Sequence, residues 1–328
     1  MDGLHLVVEK AAPEQVQTNP VIAARLAIAW WNTSLSHPRQ DKASEEDMSI
    51  AAGVVRLLLE IARVDCLALG EVTADDLDTL RTRSGSSPAF GVVCGRAGQD
   101  GRSQDTGIIY RKSRLEAIAG EEELLFTGFA DQRYKVALRT AFIVDGQREL
   151  LHLFVSHWPS RLWCHQGASV RHSFGKQLAD KLDDVRKRFG KDAKIVLAGD
   201  FNDEPFDAPL AEQLCATRDR WLATKKDSLL YNPFWRHLGE AHPRVPGKDA
   251  SNEAGTYYYK GGAVTRWHTF DQIMFSSSFL KGTGWQLNEE ATRVLRTPDL
   301  AALIVNRETI FDHLPVLGVA EFSNMEEG

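Results

Sequence analysis

Apolar runs in this sequence repeatedly end in, or lead into, a side chain able to bind a cation or a phosphate. "AIAWWN" ends at Asn32, "LALGE" at Glu71 and "LHLFVSH" at His157. "KIVLAGDFN" ends at Asp200 and Asn202, "WHTFD" brings Asp271 to the start of a run, and "TIFDHLPV" sets Asp312 and His313 before another. A carboxylate or amide at a buried strand end costs desolvation unless a charged or polar partner meets it. Residues two apart on a strand share a face, so continued extended geometry would project Asp200 and Asn202 side by side. Taken singly, an acid at a strand end is more often a solvated turn residue, and a His beside apolar residues is more often structural. Taken together they point elsewhere, because layered sheets gather their strand ends along one rim. A rim of carboxylates, amides and imidazoles without thiolates suits a hard divalent cation, Mg2+ or Mn2+ in preference to structural Zn2+, and an anionic substrate.

The elements that must position these groups are readable from periodicity. "RLAIAWWNTS" (25–34) and "DCLALGEV" (65–72) read as buried strands, with further strands expected at 89–94, 106–111, 136–144 and 150–157. "SEEDMSIAAGVVRLLLEIARV" (44–64) reads as a helix capped by Ser44, with acids in its first turn and Met48, Ala51, Val55, Leu58 and Ala62 as its apolar stripe. "SVRHSFGKQLADKLDDVRKRF" (169–189) is a second amphipathic helix, striped by Val170, Phe174, Leu178, Leu182, Val185 and Phe189. "KIVLAGD" (194–200), "RWHTFDQIMFSSSF" (266–279) and "PVLGVAEF" (315–322) read as strands, and 216–262 as loop-dominated. Interspersed strands and helices predict a layered α/β fold with mixed sheets.

The chain has 328 residues, 43% hydrophobic and 26% charged, with a formal net charge of −6. That composition is ordinary for a globular protein with a large core. The mild acidity argues against indiscriminate coating of nucleic acid, though not against a local basic track. The 4 cysteines contain no CxxC pair, which gives no zinc knuckle or redox motif and fits reduced thiols. No run approaches a membrane span and no basic-then-apolar leader opens the sequence, so a cytoplasmic protein is expected.

The ordered segments "AWWN", "LALGEV", "GIIYRK", "VSHWPSR", "VLAGDFNDEP", "FDQIMFS" and "FDHLPV" resemble the endonuclease/exonuclease/phosphatase superfamily, the metal-dependent phosphodiesterases related to DNase I and abasic-site endonucleases. The resemblance runs from about residue 25 to 320. It implies an α/β (α+β) fold, a four-layered DNase I-like sandwich of two packed mixed sheets flanked by helices. It also implies a single domain over 25–328 after an N-terminal arm or extra strand at 1–24. The sequence departs from the family in three places. Gly70 stands where Gln usually precedes the metal-binding Glu. Phe311 replaces a small hydroxyl residue before the Asp-His pair. Ser34 stands where abasic-site enzymes carry an acid.

The resemblance assigns roles. Glu71 is the expected Mg2+ (or Mn2+) ligand, with Asn32 and Asp312 beside it. Asp200 orients or deprotonates the attacking water, and Asn202 holds water or phosphate. Asp271 supports His313 as a phosphate contact, and His157 is a second donor, the expected general acid. Arg161 and Arg171 are expected to reach phosphates and Tyr110 to line the site. Asp203 and Glu204 fit the turn before Pro205, and His268 is left outside the site. The basic residues of 161–191 read either as a phosphate track or as a solvated helix face. The aromatics of 231–240 and 255–262 read either as base-stacking surfaces or as local packing. The expected function is metal-dependent phosphodiester hydrolysis, foremost of DNA or RNA. The rivals are a phosphatase or phospholipase acting on phosphoinositide or sphingomyelin, and a catalytically idle binding module.

Overall fold

The computed structural model describes residues 22–36, 43–85, 87–95, 106–129, 131–145, 147, 149–239, 254–262, 265–282 and 284–323. Most of the expected N-terminal arm lies outside these residues. The first strand already begins at Ile22.

The first half runs β1 (Ile22–Asn32), α1 (Glu45–Arg56), β2 (Cys66–Gly70), α2 (Ala74–Arg83), β3 (Phe90–Cys94), β4 (Thr106–Arg111), β5 (Leu115–Ala117), β6 (Glu123–Phe129), β7 (Gln132–Val144) and β8 (Leu150–His157). The second half runs α3 (Ser169–Phe189), β9 (Lys194–Asp200), β10 (Ala216–Thr217), α4 (Arg220–Lys225), β11 (Leu230–Tyr231), β12 (Tyr257–Tyr258), β13 (Trp267–His268), β14 (Asp271–Ser276), β15 (Gly284–Leu287), β16 (Arg293–Val294), α5 (Pro298–Val305) and β17 (Val316–Ser323).

One sheet is ordered β15-β17-β1-β2-β4-β3, with β16 on β17. The other is ordered β10-β11-β14-β9-β8-β7-β5, with β6 on β7. The two ends of the chain meet in the first sheet, where β1 pairs antiparallel with β17. Alternation along each strand builds the layers. Leu26, Ile28 and Trp30 face the core between the sheets. Ala27, Ala29 and Trp31 face outward to the helical layer of α1, α2 and α5. In the second sheet Val196 and Ala198 face inward, while Ile195 and Leu197 pack on Val170, Phe174, Leu178 and Leu182 of α3. The result is the expected four-layered α/β sandwich with two mixed sheets.

Local chemistry sets the elements. Ser44 caps α1 through a reciprocal box with Asp47. The regular helix stops at Arg56, and the wider turn Leu57–Ile61 finishes the segment with Leu58 and Leu59 both buried. Helix α2, not anticipated from periodicity, starts on a second capping box, Thr73 with Asp76. The expected single strand at 266–279 is interrupted. β13 pairs with β12 in a separate two-stranded sheet, and the chain re-enters the main sheet only at Asp271. The break follows from Glu204, whose buried carboxylate takes the Thr269 N–H at 3.0 Å and so removes it from any ladder.

β8 and β9 run parallel and close together. A Cβ on Gly199 would lie 2.0 Å from the Ser156 carbonyl oxygen. Gly53, on an exposed part of α1, has nothing within 4 Å of such an atom. Gly199→Ala is expected to cost about 3 kcal/mol by overpacking, whereas Gly53→Ala is expected to gain about 0.5–1 kcal/mol of helix propensity. Denaturant midpoints of the two variants check this, and equal midpoints would contradict it.

Candidate active site

The alternation that builds the core also delivers the site. In β1 the inward series Leu26, Ile28, Trp30 ends at Asn32. In β8 the series Leu151, Leu153, Val155 ends at His157, and in β9 Val196, Ala198 ends at Asp200. In β14 Asp271 precedes Ile273 and Phe275 on the same face. His157 and Asp200 are register partners, as are Asp200 and Asp271, so three neighbouring strands set these groups in a row. Glu71 follows β2 with φ at +52°, and Asn202 follows β9 with φ at +49°. A non-glycine residue in this region costs roughly 1–3 kcal/mol and persists where its surroundings require it. Here the turn swings the Glu71 carboxylate beside Asn32.

The two sheets are joined through Asn32. Its Nδ2 donates to Glu71 Oε1 at 3.2 Å and to Asp200 Oδ2 at 3.3 Å, while its Oδ1 accepts the Ser34 N–H at 3.2 Å. Asn32 thus bridges two carboxylates as a donor, and its oxygen is turned toward the Ser34 backbone. Asn32 is expected beside Glu71, and it lies there. Asp200 Oδ1 accepts the Asn202 N–H at 2.8 Å, and Asn202 Nδ2 donates to the Trp158 carbonyl at 2.9 Å. His157 Nε2 stands 3.7 Å from Glu71 Oε1. Asp312 accepts from Ser34 Oγ at 3.0 Å. Ser34, a departure from the abasic-site pattern, therefore holds Asp312 in place.

His313 is the electrostatic centre. Its Nδ1 donates to Asp271 Oδ2 at 2.8 Å, and its Nε2 lies 3.7 Å from both Asp200 Oδ2 and Asp312 Oδ1. Burial pulls its pKa down, but Asp271, Asp200 and Asp312 outweigh burial and raise it from 6.5 to about 10. His313 is therefore an imidazolium at neutral pH. Burial raises the pKa of Asp200, and His313 and the Asn202 N–H act against that rise. Burial likewise raises Asp312.

Two adjacent tryptophans hold this pair and account for two family departures. Trp30 Nε1 donates to Asp271 Oδ1 at 2.7 Å. The same indole fills the space over Gly70, where a Cβ would meet Trp30 Cη2 at 2.6 Å, so no Gln fits there. Trp31 Nε1 donates to the His313 carbonyl at 3.1 Å and its ring stacks on Phe311 at 5.9 Å. A small hydroxyl at 311 would leave that ring uncovered.

Two places in this arrangement could receive a cation. One oxygen each of Asp200 and Asp271 and a ring nitrogen of His313 lie within 4.8 Å of one another. Both Asp271 oxygens are already engaged, however, and an imidazolium has no lone pair to give. Glu71 Oε2, by contrast, is buried with no hydrogen-bond partner among the described residues. An orphaned carboxylate oxygen beside Asp312 fits a hard cation, so the residues present suit one at Glu71.

Other expected residues fall differently. Arg161 lies beside Asn202, donating to its carbonyl at 2.8 Å and to Asp207 at 2.5 Å, with its guanidinium over Phe270. Arg171 is fully buried and fully engaged, by Asp203 at 2.9 Å and the carbonyls of Pro159, Cys164 and Phe201. It ties the post-β8 and post-β9 loops together and has no exposed edge for phosphate. Burial, opposed by Arg171, raises Asp203 to about 7. Tyr110 pairs with Cys66 at the far end of β2, four residues from the Gly70–Thr106 pair beside Glu71, and packs on Phe142. It does not line the site. The basic residues of α3 are taken up in ion pairs, Lys176 with Asp180, Lys181 with Glu123, Arg186 with Asp183 and Arg188 with Glu121. These pairs balance much of the helix's positive charge locally, and Arg186 is largely buried. Glu204 takes the His268 ring nitrogen at 3.0 Å, a structural role for both.

Sequence reasoning missed Tyr257, whose ring lies 4.6 Å from His313. Its only sequence signal is the aromatic run in "GTYYYKGG".

Two facing mixed sheets, with acids and imidazoles gathered at one end of their shared core, define a DNase I-like phosphoester-hydrolase fold. The chain belongs to the Endonuclease/Exonuclease/phosphatase family, which residues 69–301 match. It is similar to the structure of D. rerio TDP2 complexed with single strand DNA product (18% identity, TM-score 0.55, covering 90% of this chain and 99% of that one). It is also similar to the human Nocturnin catalytic domain with bound sulfate anion (16%, TM-score 0.57, 91% and 95%). A third similar fold is a mannosyl-6-phosphatase from Bacteroides thetaiotaomicron (14%, TM-score 0.57, 91% and 100%). No curated protein sequence matches the chain.

In the unfolded chain a histidine titrates near 6.5. Between that value and about 10, folded His313 holds a proton that the unfolded chain releases. Its contribution to stability is complete below the lower value and is lost as the pH rises through about 10. Ring 15N NMR is expected to show His313 doubly protonated at pH 8, and neutral near that pH in Asp271→Asn. A neutral His313 at pH 8 in the native protein would contradict this electrostatic reading.

Proposed function

We propose that this chain hydrolyses phosphodiester bonds with a divalent cation and that its substrate is nucleic acid. The observation that carries the reading is the convergence of three features between the sheets. These are the orphaned Glu71 Oε2, the buried Asp200 carboxylate and the charged His313.

In-line attack on phosphorus needs an activated water, neutralisation of charge on the phosphoryl oxygens and a proton for the leaving oxygen. Asp200, made more basic by burial, takes the proton of the water at Oδ2, while the Asn202 N–H fixes Oδ1. Asn202 Nδ2 is committed to Trp158, which leaves its side-chain oxygen to orient that water. His313 presents Nε2–H to a phosphoryl oxygen, and Asp271 and Trp30 hold the ring's far side. His157, at the end of β8 and facing Glu71, donates to the leaving oxygen. Glu71 and Asp312 would hold Mg2+ or Mn2+, and Asn32 sets the spacing between Glu71 and Asp200. That ion supplies Lewis-acid neutralisation of charge on the phosphoryl oxygens.

Support for a nucleic acid comes from the rim. The loops after His157 and Asp200, tied by Arg161, carry exposed Leu162, Trp163 and Phe206, and aromatic faces of this kind stack on bases. A second reading, hydrolysis of a small phosphoester, is favoured by the ion-paired basic face of α3, which offers no track for a long polyanion. The intact set Glu71, Asp200, Asn202, Asp271 and His313 weighs against an idle binding module.

The test is a panel of single-stranded DNA, RNA, sugar phosphates and inositol phosphates with Mg2+ or Mn2+, with and without EDTA. Cleavage of an oligonucleotide, abolished by EDTA and reduced by several orders of magnitude in Asp200→Ala, is expected. Hydrolysis of sugar or inositol phosphates alone would establish the second reading. Near-native turnover by Asp200→Ala would overturn the role given to that carboxylate.

A further inference from the structure

The hairpin of β12 and β13 lies outside both main sheets, yet it is fastened to the segment carrying Asp312 and His313. The Tyr258 N–H donates to the Asp312 carbonyl at 2.8 Å, the Leu314 N–H donates to the Thr256 carbonyl at 2.7 Å, and Tyr257 bridges His313. Thr256 Oγ1 accepts the Asp271 N–H at 3.0 Å, which ties the same hairpin to β14. Tyr257 is thereby fixed relative to both members of the Asp271–His313 pair. Its ring packs 5.4 Å from Phe270 and 4.6 Å from His313.

The other end of that side chain is not accounted for by packing. No hydrogen bond joins the Tyr257 hydroxyl to any described residue, whereas the buried Tyr231 hydroxyl donates to Glu289 at 2.8 Å. Burial foremost, with the charges of Asp312, Asp200 and Glu71, raises the pKa of this phenol and keeps it protonated. A phenol whose ring is held against the charged His313 is a protonated donor with no acceptor among the described residues.

We propose that Tyr257 is a further substrate-binding residue whose hydroxyl donates a hydrogen bond to a phosphoryl oxygen, alongside His313. The assignment rests on the phosphoester reading of the site. It deepens that reading by dividing the phosphoryl group between a charged donor and a neutral one. The chemical class recognised is a tetrahedral oxyanion of phosphorus. The neutral donor adds a directional contact without adding a cation that would compete with bound metal. Tyr257→Phe keeps the ring and its packing on His313 and removes only this donor.

Inorganic phosphate is the probe, titrated calorimetrically into the full chain with saturating Mg2+, with thermal midpoint and Mn2+ affinity measured in parallel. A hydrogen bond to a charged oxygen is worth about a tenfold change in affinity or more. Tyr257→Phe is therefore expected to weaken phosphate binding about tenfold, with midpoint and Mn2+ affinity unchanged. Native protein that binds phosphate and a variant that binds it equally well would overturn the assignment alone. Native protein that binds no phosphate would overturn the functional reading and the assignment with it.

Discussion

A buried ion pair governs this structure. Asp271 and His313 meet at 2.8 Å with almost no exposure to solvent, and removing two charges from water costs several kcal/mol per ion unless neighbouring groups replace the lost hydration. The neighbours are arranged to do so. Trp30 takes the second oxygen of Asp271, Trp31 takes the His313 carbonyl, and Asp200 and Asp312 face the remaining ring nitrogen. The ring face is covered by Tyr257. Because Trp30 also occupies the volume above Gly70, and Trp31 that beside Phe311, two of the three positions where this chain leaves the family pattern follow from one choice of tandem tryptophans.

The pair also explains why two sheets are needed. Asp271 belongs to one sheet, Trp30 to the other, and His313 to the segment entering β17. Asn32 repeats the connection by bonding Glu71 in its own sheet and Asp200 across the interface. Strand alternation, which costs nothing beyond the hydrophobic pattern, carries Asn32, His157, Asp200 and Asp271 to the same end of the shared core. Only Glu71 and Asn202 depart from alternation, and both do so through left-handed backbone. Ser34, which holds Asp312, is likewise left-handed at φ +55°.

Much of this was legible in the sequence. A continuous apolar run with a polar residue at one end is a local signal, and it located Asn32, His157, Asp200 and Asp271 without reference to contacts. The caps of α1, the stripe of α3 and the strands around the central motif were likewise local. What failed was non-local. Arg171 sits at a helix start that looks solvated, and only the fold brings buried Asp203 to meet it. Tyr110 lies in a family segment, but antiparallel pairing places that end of β4 against Cys66, away from Glu71. The donor role of Asn32, the hold of Ser34 on Asp312 and the Trp30–Asp271 bond each join residues far apart in the chain, 241 positions in the last case. Tyr257 depends on a two-residue strand pair too short to leave a periodic trace.

The central claim is that the strand ends surround one hard cation at Glu71 while His313 stays charged and unligated. Anomalous diffraction from crystals soaked in Mn2+ tests it most directly. The account predicts a single strong peak within bonding distance of a Glu71 carboxylate oxygen, on the side facing Asp312, with the Asp271–His313 contact intact. A peak bound to the His313 ring nitrogen and Asp271, or no peak among these residues at saturating Mn2+, would contradict it.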